Sequence, residues 1–429
     1  MSIKYASIIP LIGGMTVGNK KTVGNDPRFF LTYPGFQDNE KHCVNRFQDT
    51  PYITIDPISN TTEENLSSYG KIDFVSTVCP CAGLSQLNSA KNTSKARGSD
   101  AVQNEWMYKS ASFVLEQIKP KVFWGENAPG LYSKSGEGVV ERLREIGREN
   151  GYSFSMVKTD TFLHGIPQHR HRTFYFFWEG DRAPILSWYK RDAPHLADYL
   201  DMIPEGTPDM DRYFGMGSIH EDPWFKFLYS EGLTVQDLYD RGYKTVYGWV
   251  RDGNIDKAIA WAERVGETKM GKLFVRIKSK IEQKGGLWID TPMLFTEATN
   301  SIIGKYTSIV HPTKPRGLTI REAMWLMGLP HDFEFQGNCV NHICQNVPTT
   351  TAADWTAEVV KFINGEITEW GESFVKQNNE SQKIEVGQKK KIKVNSIIDW
   401  EESIVKQNNE SQKPEVEQKK KTIRVNSVI

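Results

Sequence analysis

The chain has 429 residues, of which 38% are hydrophobic and 25% are charged. This ordinary globular composition and length predict two or three domains with sizeable cores. Lysine plus arginine and aspartate plus glutamate each number 53, so the formal net charge is zero. The balance argues against a histone-like scaffold that binds nucleic acid through bulk charge, but a local basic surface can still contact phosphates.

The sequence carries no sign of export, membrane insertion or metal binding. Its N-terminus lacks an apolar core followed by a cleavage site, and no window holds the ~20 apolar residues that a membrane helix needs. We therefore expect a cytoplasmic protein. The five cysteines are too few and too scattered for a disulfide framework, and none forms a convincing zinc-ligand pattern, so we expect reduced thiols and no metal.

From residue 7 to residue 178, short apolar runs alternate with helical patterns. The runs predict buried parallel strands at 7–11, 52–55, 73–78, 122–124 and 173–178. Helices are predicted between them over 101–118 and 139–150. This alternation is typical of a doubly wound, Rossmann-like α/β sheet, in which ligands bind at the carboxyl ends of the strands. Residues 1–178 are thus predicted to form one catalytic domain.

The rest of the chain divides into three parts. Residues 179–308 are rich in aromatics without regular alternation, which predicts a smaller second domain. Helical patterns within 309–366 indicate a return to the first domain. Residues 367–429 form a polar tail containing a tandem repeat, with residues 370–399 recurring as 400–429. Two such copies cannot bury much, so the tail is either a disordered or recently duplicated appendage, or an arm that binds a partner or tethers DNA.

Cys81 follows the predicted strand 73–78 and is the first candidate for chemistry. A cysteine thiolate at a strand end can act as a nucleophile that forms a covalent bond to a substrate. The alternative is a small buried hydrophobic residue. The polar stretch 85–104 that follows is typical of a closing lid, whose Lys91, Lys95 and Arg97 could meet phosphates.

Two further polar motifs follow at later strand ends. Glu126 comes directly after an apolar run, where a carboxylic acid can donate a proton to a ring nitrogen. Arg170 and Arg172 alternate in an extended segment, so both side chains could share one face, and guanidinium groups suit phosphate and carbonyl oxygens. Each motif alone is equally typical of solvated surface residues.

These residues belong to five motifs that follow one another in a fixed order along the chain. Together they resemble the motifs of the DNA cytosine-5 methyltransferase family of bacterial and phage type. The motifs are Pro80-Cys81-x3-Ser85, Glu126-Asn127-Ala128, Gly165-Ile166-Pro167-Gln168-x-Arg170-x-Arg172, the segment from Arg316 to Phe333, and Gln345-Asn346-Val347-Pro348. The ordered set spans positions 80 to 348 and is far more specific than any single motif.

The resemblance implies a role for each catalytic candidate. Cys81 is the nucleophile, and Glu126 is the acid that protonates N3 of cytosine. Arg170 and Arg172 position the flipped base or support the site. The family takes its methyl group from S-adenosylmethionine and extrudes the target cytosine from the duplex, because the reaction needs access to both ring faces.

The resemblance also implies a cofactor site. Gly13 and Gly14 belong to the first motif, and Asn346 belongs to the tenth. Asp38 and Asp56 correspond to the acids near the second and third strands that hold the ribose and the adenine amino group. This first motif departs from the family pattern, which offers an aromatic residue and three glycines, whereas segment 8–14 keeps only the last glycine pair.

Two more departures flank the nucleophile. Ala82 stands where the family usually has glutamine, and Cys79 replaces a common proline. Such changes alter contacts with the base and leave the nucleophile in place.

The function implied is methylation of cytosine C5 in double-stranded DNA, with residues 179–308 as the target-recognition domain. Its local basic residues are Lys269, Lys272, Arg276, Lys278, Lys280 and Lys284. We expect a monomer that acts in a bacterial or phage-infected cell, either solitary or with a cognate restriction endonuclease as partner.

Three alternatives stay open. An RNA (tRNA) cytosine-5 methyltransferase would use the same scaffold, but the large recognition insert favours DNA. A non-catalytic DNA-binding descendant would have no chemical need for Cys81 and Glu126, which argues against it. The altered first motif also allows a different sulfonium donor, without positive evidence in its favour.

Overall fold

The computed structural model describes residues 2–371 except 86–97, 207, 284, 286, 288, 290, 296, 305, 306, 336 and 338. The lid residues Lys91, Lys95 and Arg97, the basic Lys284 and the repeats beyond residue 371 therefore lie outside the described residues. Within the described part of the chain, no helix is both long and apolar enough to cross a membrane.

A seven-stranded sheet forms the centre of the molecule, in the order β3-β2-β1-β4-β5-β8-β6. Its strands are β1 (Tyr5–Ile8), β2 (Phe30–Thr32), β3 (Tyr52–Thr54), β4 (Phe74–Val78), β5 (Val122–Asn127), β6 (Tyr152–Asp160) and β8 (His171–Glu179). A separate two-stranded ladder joins β7 (Gln168–His169) to β9 (Thr299–Asn300). The predicted doubly wound α/β class is confirmed.

The sheet is parallel from β3 to β5, but β8 runs antiparallel to both of its neighbours. The prediction of a parallel strand at 173–178 was therefore wrong in direction. The physical reason is the connection: β6 leads to β8 through a short segment without a crossover helix, and only antiparallel strands can be joined so briefly. The residues of β4 and β5 are all buried, as expected for central strands covered on both faces.

Helices cover both faces of this sheet. They are α1 (Gly14–Val23), α2 (Gln37–Arg46), α3 (Glu105–Phe113) with a π-helical turn at Val114–Ile118, α4 (Glu137–Glu149) and α13 (Thr349–Ile363). Helix α4 buries Val139, Leu143 and Ile146 on one face, which is the helical periodicity read from the sequence.

The C-terminal helix α13 returns to the first domain and packs against α1. Thr22 Oγ1 donates to the carbonyl oxygen of Ala353 at 3.0 Å, and Thr356 Oγ1 donates to Asn19 Oδ1 at 2.8 Å. A Cβ added at Gly18 would lie 2.6 Å from the Ala352 Cβ, so the absence of a side chain allows the two helices to approach.

The intervening region is helical rather than irregular. It contains α5 (Leu196–Asp201), α6 (Pro223–Ser230), α7 (Val235–Asp240), α8 (Val246–Trp249), α9 (Ile255–Val265) and α10 (Thr268–Glu282). The aromatic residues noted in the sequence form its core, where Trp224, Phe227, Trp261 and Phe274 are buried together. The predicted boundaries of this region at 179 and 308 stay a prediction.

Two short helices follow before α13. Helix α11 (Ile320–Trp325) begins at a capping box, in which Thr319 and Glu322 satisfy each other's backbone N–H groups. Arg316 forms two hydrogen bonds to the Glu322 carboxylate, at 2.8 and 2.7 Å. Helix α12 (Val340–Gln345) then leads into α13. The motif segment 316–333 packs with Ile12 and Ile166 in a hydrophobic cluster of its own, whereas Val347 of the motif 345–348 packs with the core of the sheet.

Candidate active site

All four predicted catalytic residues line one cavity of about 750 Å³. Its lining is Leu11, Phe36, Asn39, Val78, Cys79, Pro80, Cys81, Ala82, Ser85, Glu126, Arg170, Arg172, Ile303, Gly304, Asn341, Cys344 and Gln345. Two groups within this set matter below. We call Leu11, Phe36 and Val78 the apolar lining, and Cys81, Glu126 and Arg172 the polar lining.

The topology of the sheet explains why the polar lining comes together. β4 and β5 are parallel neighbours in which Val78 pairs with Glu126, so Cys81 follows β4 at the same edge where β5 ends. On the other side of β5, Glu126 pairs with Phe174 of the antiparallel β8, which places the beginning of β8 and Arg172 at this edge. Residues separated by more than 90 positions thus share one site.

Glu126 and Arg172 form a close ion pair inside the cavity. Arg172 Nε lies 2.7 Å from Glu126 Oε1, with 6% of the Glu126 side chain exposed. Burial raises the pKa of the Glu126 carboxyl, and the positive charges of Arg172 and Arg170 offset part of that rise. A carboxyl whose pKa is raised holds its proton more readily, as a general acid must.

The Cys81 thiol is partly exposed to this cavity, whereas the other four cysteines are buried. Burial and the nearby Glu126 carboxylate raise the pKa of the thiol, while Arg172 and Arg170 lower it. Cys81 and Glu126 are therefore coupled: a proton on Glu126 removes the negative charge that disfavours the thiolate. The pKa values of both groups are raised, so burial favours the neutral carboxyl and the neutral thiol, and the two arginines offset part of each rise.

Arg170 and Arg172 have different partners, although they are two residues apart. The Arg170 guanidinium donates to the carbonyl oxygens of Ile302, Cys344 and Asn346 at 3.0, 2.7 and 3.0 Å. It also donates to Ser301 Oγ at 3.1 Å. Arg170 thus joins β8 to two segments that return from more than 130 positions away.

This joint is buried, with 1% of Arg170 exposed. Burial and the neighbouring Arg172 lower the pKa of Arg170 to about 9, so the guanidinium stays charged at neutral pH. Its backbone N–H donates to Asp160 Oδ1 at 2.8 Å, and Asp160 Oδ2 accepts from His169 Nδ1 at 2.8 Å. Of the two arginines, Arg172 contacts the acid and Arg170 holds the walls of the cavity together.

The glycine pair of the first motif lies at the start of α1. Gly13 has a φ of 98° and precedes the helix. The Gly14 N–H donates to Asn346 Oδ1 at 3.0 Å, and a Cβ on Gly14 would lie 2.0 Å from that oxygen. Asn346 Nδ2 is buried without a hydrogen-bond partner among the described residues. The structure thus brings Gly14 and Asn346 into contact, directly after Gly13, but none of the three lines the cavity.

The two predicted acids lie elsewhere, and neither is in the cavity lining. Asp38 is exposed in the first turn of α2, where Lys41 Nζ donates to it at 2.7 Å and lowers its pKa. Asp56 is exposed in a turn after β3, where it accepts from the Ile58 N–H at 2.8 Å and from Ser59 Oγ at 3.1 Å. Both carboxylates are engaged within their own local segments.

Sequence reasoning missed several residues of the cavity. Asn39, next to Asp38, lines it together with Phe36, and both follow β2, a strand that was not predicted. Asn341 and Gln345 of α12 line it as well. A three-residue strand leaves little periodic signal, so only the neighbouring motif Gln345–Pro348 pointed to this part of the cavity.

Five of the six basic residues predicted for the recognition domain lie on α10, and the sixth, Lys284, lies outside the described residues. Lys269, Lys272, Arg276 and Lys280 are exposed. Lys278 Nζ lies 2.8 Å from Asp256 Oδ1.

Residues 3–352 match the model of the family described as C-5 cytosine-specific DNA methylase. The chain belongs to this family. The resemblance read from the motifs is therefore confirmed, and the predicted cofactor, S-adenosylmethionine, is confirmed as that of the family.

Curated relatives are bacterial Type II methyltransferases. M.PspPI of Psychrobacter sp. is 23% identical over 72% of this chain and 68% of its own length. M.Bpa9945I of Bacillus paralicheniformis is 23% identical over 72% and 76%. M.AgeI of Thalassovita gelatinovora is 33% identical, but over 29% of this chain and 27% of its own length.

A solved structure supports the fold. A DNA modification methyltransferase encoded within a prophage (E. coli) aligns with a TM-score of 0.53 over 85% of this chain and 100% of that chain, at 16% identity. At this identity the likeness concerns the architecture of the sheet and its helices.

The cavity fits the cofactor of this family. Its volume lies within the range of about 300–1,000 Å³ that is usual for small-molecule sites. The apolar lining suits the adenosyl part of S-adenosylmethionine. The polar lining supplies a thiol, a carboxyl and a guanidinium group in the same cavity.

Proposed function

We propose that this methyltransferase transfers a methyl group from S-adenosylmethionine to C5 of cytosine in double-stranded DNA, through a covalent bond between Cys81 and the base. The observation that carries the proposal is the position of Cys81 in one cavity with the Glu126–Arg172 ion pair. The family and the names of the bacterial relatives support DNA as the substrate.

The residues of the polar lining act in sequence in this mechanism. The Cys81 thiolate attacks C6, the C5–C6 double bond opens, and N3 takes the proton that Glu126 holds. C5 thereby gains the electron density of an enamine. The cofactor, when bound, supplies an electrophilic methyl group for that carbon. Solvent water then takes the C5 proton, and the electrons of that C–H bond restore the C5–C6 double bond as the Sγ–C6 bond breaks and Cys81 leaves as a thiolate. N3 returns its proton to the Glu126 carboxylate.

Arg172 and Arg170 support these steps differently. Arg172 holds the Glu126 carboxyl in place and stabilises negative charge near Cys81. Arg170 keeps the segments around residues 302 and 345 against β8, so that the cavity stays closed on that side. Because the cavity encloses the reacting atoms, the target cytosine must leave the base stack to enter it.

Other parts of the proposal concern binding. Gly13, Gly14 and Asn346 are proposed to hold the cofactor, and the assignment of Asp38 and Asp56 to it stays a prediction from the sequence resemblance. Residues 179–308 are proposed to recognise the DNA, with the exposed basic residues of α10 near phosphates. The protein is proposed to act as a cytoplasmic monomer, with a cognate restriction endonuclease as candidate partner.

The test is incubation of the full chain with tritium-labelled S-adenosylmethionine and either duplex DNA or total RNA, followed by base analysis. We expect label in 5-methylcytosine of DNA and none with Cys81→Ala. Label confined to RNA would replace DNA by RNA as the substrate. Absence of transfer to both, with cofactor bound, would contradict the catalytic proposal.

A further inference from the structure

The loop between β1 and α1 has an unusual backbone. Ile9, Leu11 and Gly13 have φ angles of 49°, 47° and 98°, so all three lie in the left-handed region. Residues with a side chain enter this region at a cost in free energy, whereas glycine does so freely. Two of these three positions therefore carry a strain that glycine would avoid.

Backbone contacts hold the loop in this conformation. The Ile9 N–H donates to the Leu31 carbonyl oxygen at 2.9 Å, and the Ile9 carbonyl oxygen accepts from the Val78 N–H at 3.2 Å. The Gly13 N–H donates to the Pro10 carbonyl oxygen at 3.0 Å. The two bonds of Ile9 join the start of the loop to β2 and β4, and the Gly13 bond closes a turn that contains Leu11. Contacts with the surrounding chain thus hold the left-handed conformation of the loop.

The strained position places the apolar side chain of Leu11 in the lining of the cavity. It is 7% exposed, packs with the core of the sheet, and belongs to the apolar lining of the cavity that contains Cys81 and Glu126. A glycine at this position would relieve the backbone but would remove that side chain. The chain thus keeps an apolar group in the cavity in spite of the backbone conformation.

The apolar lining lies where a doubly wound sheet binds its ligand. Leu11 follows β1, Phe36 follows β2 and Val78 ends β4, so all three lie at the carboxyl ends of parallel strands. We propose that Leu11 is a cofactor-positioning residue, whose side chain packs against S-adenosylmethionine and compensates for the glycine that this loop lacks. This inference rests on the proposed function for the identity of the ligand.

The test uses variants that separate the side chain from the backbone. Leu11→Met keeps an apolar side chain on the strained backbone. Leu11→Asn has a similar size and tolerates the left-handed conformation, but it is polar. Leu11→Gly removes both the strain and the side chain, and serves as the second truncated variant if the Asn variant does not fold. The dissociation constant for S-adenosylmethionine is measured by calorimetry on the full chain without DNA.

We expect Leu11→Met to bind the cofactor within about threefold of the unsubstituted protein. Leu11→Asn and Leu11→Gly should weaken binding about tenfold or more, the effect of losing one apolar contact with a ligand. Affinity for duplex DNA, measured in parallel, should not change. Cofactor binding by Leu11→Gly as tight as that of the unsubstituted protein would overturn the proposal, because the side chain would then only fill the core.

A second comparison tests the strain itself. Leu11→Ala and Leu11→Gly both lose the side chain, but only glycine relaxes the backbone, so the Gly variant should melt roughly 2 °C higher than the Ala variant. A lower melting temperature of the Gly variant would contradict the strain at residue 11.

The binding results also distinguish the two proposals. If the unsubstituted protein does not bind S-adenosylmethionine, the proposed function is wrong. If it binds and Leu11→Gly binds equally well, only the role of Leu11 is wrong.

Discussion

The polar lining and the apolar lining of the cavity differ in how they relate to the family. Cys81, Glu126 and Arg172 match the motifs and line one cavity, in which Arg172 pairs with Glu126. The apolar lining lies beside a first motif that has lost its aromatic residue and one glycine, and it includes a leucine in a left-handed conformation. Few side-chain types can form a covalent bond to a substrate, whereas many apolar side chains can pack against a cofactor.

Removal of the nucleophile from the polar lining should have the largest effect on methyl transfer. Cys81→Ala is expected to lower methyl transfer by about 10⁴-fold or more, because no other group in the polar lining can form the bond to C6. Binding of duplex DNA should persist, which a gel-shift assay checks. Cys339→Ala is the matched control, since Cys339 is buried and does not line the cavity. Equal activity of the Cys81→Ala variant would end the covalent mechanism.

The acid should have the next largest effect. Glu126→Gln keeps the shape of the side chain but cannot supply the proton to N3, so turnover should fall about 10²- to 10⁴-fold. The Michaelis constants for DNA and for cofactor should change little. Steady-state kinetics measures both, and unchanged turnover would remove Glu126 from the acid role.

Arg170 should matter for stability more than for chemistry. Arg170→Met leaves three carbonyl oxygens and a hydroxyl group without their donor, and we expect a loss of about 3–5 kcal/mol in the free energy of unfolding. Denaturant titration measures it, with the exposed Arg142→Met as control. A loss below about 1 kcal/mol would show that Arg170 does not hold the cavity walls together.

Glu40, in helix α2, allows a prediction about how the stability of the fold depends on pH. It is fully buried in α2 and bonded to the Tyr52 hydroxyl, and burial raises its pKa to about 7 from 4.5. The folded state therefore holds a proton that the unfolded state has released, so stability falls as pH rises from about 4.5 to 7 and then levels off.

Glu40→Gln mimics the protonated form of this carboxyl. It should add about 2–3 kcal/mol of stability near pH 8 and nothing below about pH 4.5. His42, on the same helix, has its pKa lowered to about 4 by burial and by His342, which makes stability rise with pH between about 4 and 6.5. That opposite trend cancels in the difference between variant and unsubstituted protein, which denaturant titrations across pH measure. A difference independent of pH would contradict the buried carboxyl.

Substitution of Asp38 should have the smallest effect. Compared with substitution of Asn39, it tests which of these two adjacent residues contributes to cofactor binding. Asp38→Asn is expected to leave the dissociation constant for S-adenosylmethionine within about twofold, because the carboxylate is exposed and pairs with Lys41. Asn39→Ala should weaken binding more, since Asn39 lines the cavity. The reverse order in calorimetry would support the role that the sequence assigned to Asp38.

The amino-acid sequence determined the fold class, four of the seven sheet strands with their direction, and the identity of the chemical groups. Apolar runs and helical spacing are local patterns, and Cys81 and Glu126 lie directly after such runs, so their meeting at one edge follows from parallel pairing. Local patterns could not reveal β2, which is three residues long, or β6, and they gave β8 the wrong direction.

Only the tertiary structure decided how neighbouring residues divide their roles. Alternation along an extended segment makes Arg170 and Arg172 look equivalent, but Arg170 meets carbonyl oxygens 132 to 176 positions away, and Arg172 meets Glu126. Asp38 and Asn39 differ in the same way, because the packing of α2 sets which one faces the cavity. The loop that contains Leu11 is likewise held by bonds from Ile9 to β2 and β4, which no pattern within its own segment encodes.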